Sequence, residues 1–126
     1  MTRHFQTGAT RDTDFSKIDP EGAISPLVLR RFAEYMRECQ TRNVPPGQTV
    51  RASDNWQKGI PLASYAKSHA RHTLDFLQLH DGFPVIDDKG QPVTVEVALC
   101  AILFNVQGYL FELLKQSVTL APSVGK

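Results

Sequence analysis

The segment from Val95 to Leu114 is apolar on nearly every helical face, and it restricts the possible folds of this chain more than any other segment. A helix of this kind is buried in a core, packed against a partner or placed in a membrane. A membrane span needs roughly 20 largely uninterrupted apolar residues, whereas Asn105, Gln107 and Glu112 interrupt this segment. No basic cluster flanks its N-terminal side. We therefore expect a helix over 95–116 at the interface of a soluble oligomer.

Two amphipathic helices are predicted before it. Ser25-Pro26 is a typical helix start, a capping hydroxyl followed by proline at the first helical position. Apolar residues then recur at helical spacing, which predicts a helix over 26–42; they are Val28, Phe32, Tyr35, Met36 and Cys39. A second helix is predicted over 61–81 and ends at Gly82. Its apolar side is expected to be Ala63, Ala66, Ala70, Leu74 and Leu77.

The remaining segments are rich in turn-forming residues. We predict an arm without helix over 1–24, a loop with a possible short helical piece over 43–59, and a small hairpin or plain excursion over 83–93. The tail after Gln116 is expected to be loose. The fold class is therefore all-α, in a single domain that spans residues 1–126.

Charge and cysteine content limit the possible partners. With 14 Lys plus Arg against 13 Asp plus Glu, the net charge of +1 excludes the basic surface typical of proteins that bind duplex nucleic acid or anionic membranes. Any anionic ligand must then be bound by local side chains. Cys39 and Cys100 lie in apolar segments and form no CxxC pair, so we expect buried free thiols in a reducing compartment, the cytoplasm.

Glu34 and Glu38 lie four residues apart, which places two carboxylates on one face of the first main helix. Like charges at this spacing destabilise a helix unless a cation binds between them. A hard divalent ion with oxygen ligands would do so. The alternative is a solvated polar face, with Arg31, Arg37 and Arg42 as neutralising neighbours.

The second main helix adds an acid, an imidazole and a guanidinium. Asp75 lies one turn after His72 and shares a face with Arg71. Aspartate is a mediocre helix former with no cap to make in mid-helix. With Glu34 and Glu38 it would complete a site for Mg²⁺ or Mn²⁺, a metal that keeps water ligands for chemistry.

Further side chains are candidates for binding a nucleotide. The phosphate-binding candidates are basic residues of the loops and the second helix: Arg11, Lys17, Lys58 and Arg71. Trp56, the only tryptophan, either stacks on a base or pins its loop to the core. Asn55 either caps a turn or hydrogen-bonds the edge of a bound ligand. Asn105 must hydrogen-bond a partner helix or a nucleotide.

In this order, the residues resemble those of the phage-type dATP/dGTP diphosphohydrolases, within the MazG-like, all-helical nucleoside triphosphate pyrophosphohydrolases. The resemblance covers most of the chain. The segments that carry it are Gly8-Ala9, Arg11-Asp12, Lys17, Asp54-Asn55-Trp56, Lys58-Gly59-Ile60-Pro61, Tyr65, Ser68, Arg71-His72, Ala101 and Phe104-Asn105.

The family pattern has acids at positions one, two and five of a first-helix motif and at positions one and four of a second-helix motif. Glu34 and Glu38 match positions one and five, while Tyr35 replaces the middle acid. Asp75 matches the end of the second motif, and His72 stands in place of its glutamate. One metal ligand is therefore lost or exchanged for imidazole.

The resemblance implies a MazG-like helical bundle completed by oligomerisation, as a homodimer or homotetramer. It implies hydrolysis of a purine deoxynucleoside triphosphate, dGTP ahead of dATP, between the α and β phosphates, in phage nucleotide metabolism and hence in the host cytoplasm. Glu34, Glu38 and Asp75 would be the catalytic residues and metal ligands, with His72 as a further ligand. Asn55, Trp56 and Asn105 would contact the nucleoside.

Two other interpretations remain open. His80-Asp81, with His69 or His72, could belong to an HD-type phosphohydrolase, although these residues lie on one helix and its end. Alternatively, the chain is a non-catalytic helical interaction module whose partner surface is the apolar third helix.

Overall fold

The computed structural model describes residues 2–4, 7–8, 10–12, 17–42 and 44–120. The protein is mostly helical, which confirms the all-α prediction at that level. The helices are α1 (Pro20–Ala23), α2 (Pro26–Thr41), a 3-10 helix (Asn55–Lys58), α3 (Leu62–His80) and α4 (Val95–Leu120). Two short antiparallel strands, β1 (Thr2–His4) and β2 (Thr10–Asp12), pair in the N-terminal arm.

Helix α4 is the axis of the fold, because α3 lies along it and α2 and the 3-10 helix contact it from the side. The tightest point of the α3–α4 seam is Tyr65, which is only 2% exposed. Its ring lies against Gly108 of α4, so closely that a Cβ there would overlap it. A glycine in mid-helix costs about 1 kcal/mol relative to alanine, and here it allows an aromatic ring to reach the helix backbone.

Helix α2 packs on α4 through a small apolar cluster. Phe32 and Tyr35 stack at 6.3 Å between ring centroids and are buried against Cys100 and Ala101. Met36 and Cys39 pack against the same cluster. The predicted apolar residues of α2 are therefore placed correctly except Val28, which is 56% exposed near the start of the helix. Both cysteines are free thiols.

The main helices begin and end within one residue of the predicted positions, except at the end of α4. Three features differ from the predictions. The N-terminal arm was predicted without helix, but Asp19 caps the single turn of α1 by accepting from the Gly22 amide. Ser25 precedes Pro26 as expected, yet its hydroxyl makes no capping hydrogen bond. Helix α4 continues past Gln116 to Leu120, because no glycine or proline interrupts it there.

The buried face of α3 differs from the predicted one. Leu74 and Leu77 are 65% and 50% exposed, and Ala63, Ala66 and Ala70 are exposed with them. The residues turned towards the rest of the chain include Tyr65, Ser68, His72 and Phe76. Helical spacing predicted the helix, but Tyr65 on another face makes the close contact with α4, because its ring fills the space beside Gly108. The predicted apolar side remains uncovered in a single chain.

The connection from α3 to α4 is a turn with one bridge rather than a hairpin with strands. Gly82, with φ +90°, follows the end of α3 as predicted. Ile86 and Pro92 form the single bridge. Inside it, an Asp87 side-chain oxygen accepts from the amides of Lys89 and Gln91, both at 2.9 Å. Asp87 is therefore a turn residue, as its sequence context suggested.

Helix α4 leaves an apolar stripe exposed at heptad-like spacing; it consists of Leu99, Leu103, Val106, Leu110 and Leu113. Among the described residues, α4 is also the one helix long and apolar enough to cross a membrane by length and composition, and 33% of that window is buried within the chain. Core helices of soluble proteins pass the same test, so this property alone is weak evidence for a membrane span.

Candidate functional site

A cavity of about 340 Å³ lies where α2, the loop after it, α3 and α4 meet. Its wall combines aromatic rings with amides, hydroxyls, an imidazole and a guanidinium. The lining residues are Tyr35, Met36, Cys39, Gln40, Arg51, Ala52, Ser53, Asn55, Trp56, Ile60, Ser68, His72, Ala101, Phe104 and Asn105. Ligand sites typically have this composition, an apolar surface with a few polar groups that orient the ligand. We call it the central cavity.

Trp56 fixes the 3-10 helix to α4. Its ring meets Phe111 at 5.0 Å and Phe104 at 6.1 Å between centroids, both edge to face. Close by, the Ile60 amide donates to the buried Glu112 carboxylate at 3.4 Å, and Lys115 pairs with that carboxylate at 2.9 Å. Trp56 therefore pins its loop to the core, one of its two predicted roles, and it also lines the central cavity.

Asn105 is only 3% exposed and reaches the same cavity from α4. Its side-chain nitrogen donates to the Ala101 carbonyl at 2.8 Å. Because a carbonyl oxygen can only accept, this contact identifies which end of the amide is nitrogen. The remaining Oδ1 is an acceptor. Asn55, Trp56 and Asn105, predicted from three distant parts of the sequence, thus lie on the wall of one cavity.

His72 contributes an imidazole from α3. Its Nδ1 lies 3.5 Å from an Asp75 carboxylate oxygen, and the ring lines the central cavity. Burial lowers the pKa of His72, while the charge of Asp75 acts in the opposite direction. The neighbouring carboxylate orients the ring, as it does for many functional histidines. His72 and Asp75 therefore form the predicted pair, and Asp75 reaches the cavity through His72.

The α2 carboxylates have other neighbours. Glu34 is exposed, and an oxygen of Glu38 lies 4.0 Å from Arg31 Nη1. Arg31 also donates through Nε to Glu96 of α4 at 2.8 Å. Neither glutamate lines the central cavity. For Glu38, this arrangement corresponds to the alternative to a metal site, a solvated polar face with arginine as a neutralising neighbour.

We compared these positions with the needs of a divalent metal. Within the described ranges, no group of three or more histidine, cysteine, aspartate or glutamate side chains is arranged to hold an ion. Glu38 lies 4.0 Å from Arg31 and Asp75 lies 3.5 Å from His72, so each of these carboxylates has another side chain as its neighbour. The metal site remains a prediction.

The predicted phosphate-binding residues whose side chains are described do not line the cavity. Lys17, Lys58 and Arg71 are exposed and none lines it, and the side chain of Arg11 is outside the described residues. The cation on the cavity wall is Arg51, which sequence reasoning missed. The only available signal was its position shortly before Asn55-Trp56, and sequence spacing gives no distance across a folded loop.

The residues of the HD-type alternative are separated. His80 stacks on Phe76 at 6.1 Å between ring centroids, and Asp81 is the C-cap of α3. His69 lines a different groove, with Tyr65 and Tyr109. These positions agree with structural roles for His80 and Asp81 at the end of α3.

Comparisons with family models, with curated proteins and with solved structures give no match.

Proposed function

We propose that this protein binds a purine deoxynucleoside triphosphate, dGTP ahead of dATP, and hydrolyses it to a monophosphate and pyrophosphate. The observation that carries the proposal is the central cavity, which gathers Asn55, Trp56 and Asn105 beside His72 and Arg51. A nucleotide offers the matching groups, an aromatic base with polar edges and an anionic chain. The resemblance to the MazG-like phage enzymes supplies the reaction and the base preference.

Each wall of the cavity would have a defined task. Trp56 and Phe104 would supply apolar contact area for the base, and Asn105 Oδ1 would accept a hydrogen bond from a base N–H. Arg51 would bind the phosphate chain through charge-assisted hydrogen bonds. His72, oriented by Asp75 at 3.5 Å, would position a water molecule or a phosphate oxygen.

Mg²⁺ or Mn²⁺ belongs to the proposal as the cofactor, with Glu34, Glu38 and Asp75 as ligands and His72 as a further one. When bound, such an ion neutralises phosphate charge and lowers the pKa of a bound water. Because these side chains do not converge within one chain, metal dependence is a separate question from nucleotide binding.

The decisive experiment incubates the full chain with each nucleoside triphosphate and Mg²⁺ or Mn²⁺, then identifies the products. Monophosphate plus pyrophosphate supports the proposal, and the rates rank the bases. Triphosphate plus nucleoside would instead indicate the HD-type reaction. No turnover with any of them would support the non-catalytic interaction module.

Variants connect the activity to the cavity. Asn105→Ser shortens the buried acceptor, whereas Gln107→Ser changes an exposed polar residue on the same helix. We expect a raised KM for the first variant and native kinetics for the second. Equal kinetics in both would disconnect the activity from the cavity.

Metal binding is tested by the thermal midpoint. A ligand at ~100 times its dissociation constant stabilises the folded state by roughly 2.7 kcal/mol. We expect the midpoint to rise with Mn²⁺ and the rise to disappear in Glu38→Gln. An unchanged midpoint in the native chain would contradict the metal site.

A homodimer or homotetramer is also part of the proposal. The exposed alanine and leucine stripe of α3 and the exposed stripe of α4 flank an apolar groove of about 430 Å³ between these helices. Uncovered apolar surface of this extent is typical of protein interfaces. Light scattering should give a multiple of the 14.1 kDa chain mass. Leu110→Glu in α4 should reduce that mass, and Leu27→Glu, exposed on α2, should not.

A further inference from the structure

A second recess lies beside the central cavity, at the end of α2. It also measures about 340 Å³ and is lined mainly by polar and basic residues, among them Arg42, Gln48 and Thr49. Cys39, Gln40 and Arg51 line both spaces and form their common wall. An aromatic compartment therefore adjoins a cationic one.

The two arginines of this recess have no carboxylate partner among the described residues, since the ion pairs found there involve other side chains. Arg51 donates once, from Nη2 to the Cys39 carbonyl at 3.2 Å. A guanidinium has five N–H donors, so most of its donor capacity remains for a ligand. Burial lowers the pKa of His72, and the charges of Arg71 and Arg42 lower it further.

The loop that carries Arg51 is held in place before any ligand binds. While Arg51 donates to Cys39, the Gln40 side chain donates to the Arg51 carbonyl at 2.9 Å. Within the same loop, Gly47 has φ +85° and the Gln48 amide donates to the Pro45 carbonyl at 3.2 Å. Preorganised donors bind an anion with less loss of conformational entropy.

We infer that the recess is the phosphate subsite of the nucleotide whose base occupies the central cavity, with Arg42 and Arg51 as its cationic donors. This inference rests on the proposed function and changes the expected phosphate ligands, because Lys17, Lys58 and Arg71 do not line either space. A purely structural role is the competing explanation. Cations near a helix C-terminus stabilise its carbonyl groups, and Arg51 contacts one of them.

Calorimetric titration of the full chain in EDTA tests the subsite without metal or turnover. The probes are dGTP, deoxyguanosine and inorganic tripolyphosphate. The variants are Arg42→Gln, Arg51→Gln and Arg51→Lys, and the control is Arg37→Gln, exposed on α2 and absent from both walls. Arg51→Lys keeps a charge beside the Cys39 carbonyl in case Arg51→Gln unfolds the loop.

We expect Arg42→Gln and Arg51→Gln each to weaken the binding of dGTP and tripolyphosphate by about tenfold or more. The loss of one charge-assisted hydrogen bond has an effect of this size. Deoxyguanosine affinity should not change, and Arg37→Gln should bind all three like the native chain. Arg51→Lys should bind dGTP more weakly than native because it lacks the planar fork. Unchanged phosphate binding in both glutamine variants, or equal weakening of deoxyguanosine, would overturn the subsite.

The outcome is separable from that of the proposed function. Arginine-dependent binding of tripolyphosphate by a chain that hydrolyses no nucleotide would support the subsite and contradict the enzyme. Normal hydrolysis with native KM in Arg42→Gln and Arg51→Gln would support the enzyme and contradict the subsite.

Discussion

Helix α4 makes two contacts of different construction. Along the α3–α4 seam, an aromatic ring is buried against helix backbone at Gly108, and the two helices stay together over most of their length. At the α2–α4 contact, a small apolar cluster and one arginine–glutamate pair join the helices, and the central cavity lies beside it. The seam is therefore the scaffold, and α2 with its loop forms one wall of the cavity.

The largest expected effect is at the seam. Tyr65→Ala should lower the free energy of unfolding by about 3–5 kcal/mol, the cost of removing a buried aromatic side chain. Tyr65→Phe should be neutral or slightly stabilising, because the Tyr65 hydroxyl is buried without a hydrogen-bond partner among the described residues. Urea denaturation measures both. A loss in Tyr65→Phe comparable to that in Tyr65→Ala would show that the hydroxyl, and not the ring, holds the seam.

At the α2 contact, Phe32→Ala should cost about 3 kcal/mol, near the lower end for phenylalanine because the ring is 9% exposed and belongs to a small cluster. Hydrogen exchange should show α2 amides opening before those of α3 and α4, which would remain protected. Leu29→Ala, exposed on the same helix, should change stability by less than about 0.5 kcal/mol. Simultaneous loss of protection in all three helices would contradict the division into scaffold and wall.

Gly108→Ala should destabilise by about 1–3 kcal/mol through overpacking. The sign of the stability change is diagnostic, because replacing glycine by alanine inside a helix otherwise stabilises the protein by about 1 kcal/mol. Combining it with Tyr65→Ala should remove the penalty, since the ring that the new methyl group overlaps is then gone. A stabilised single variant would mean that the seam can relax.

The smallest expected effect belongs to the Arg31–Glu96 pair. Both side chains are partly exposed, so a double-mutant cycle with Arg31→Met and Glu96→Gln should give a coupling energy below about 1 kcal/mol that falls with added salt. A larger, salt-independent coupling would make this pair a main support of α2.

Local patterns predicted much of the fold. The three main helices and the 3-10 piece lie where spacing, Pro26 and Gly82 indicated them, because these signals act within a few residues. The patterns did not reveal which side of α3 faces α4. Alanines and leucines on one side suggested burial there, but Tyr65 on another side is the residue buried against α4. Which side of α3 is buried depends on the shape of α4, which lies further along the sequence.

The candidate site divides in the same way. Residue chemistry suggested Asn55, Trp56, Asn105 and the His72–Asp75 pair, and all of them are at or beside the central cavity. Distances across the fold could not be inferred from the sequence. Arg42 and Arg51 were therefore not predicted, whereas Lys58 and Arg71, which were predicted, line neither the central cavity nor the recess.

The sequence by itself determined that α4 would be apolar on nearly every face and would need more cover than one amphipathic neighbour provides. Only the tertiary structure decided how that cover is divided. Tyr65 closes against Gly108 on one side, the Phe32 cluster covers another, and the stripe through Leu103 and Leu110 remains exposed. The physical reason is that hydrophobicity measures the area to be buried, whereas which surfaces meet depends on shapes brought together from distant parts of the chain.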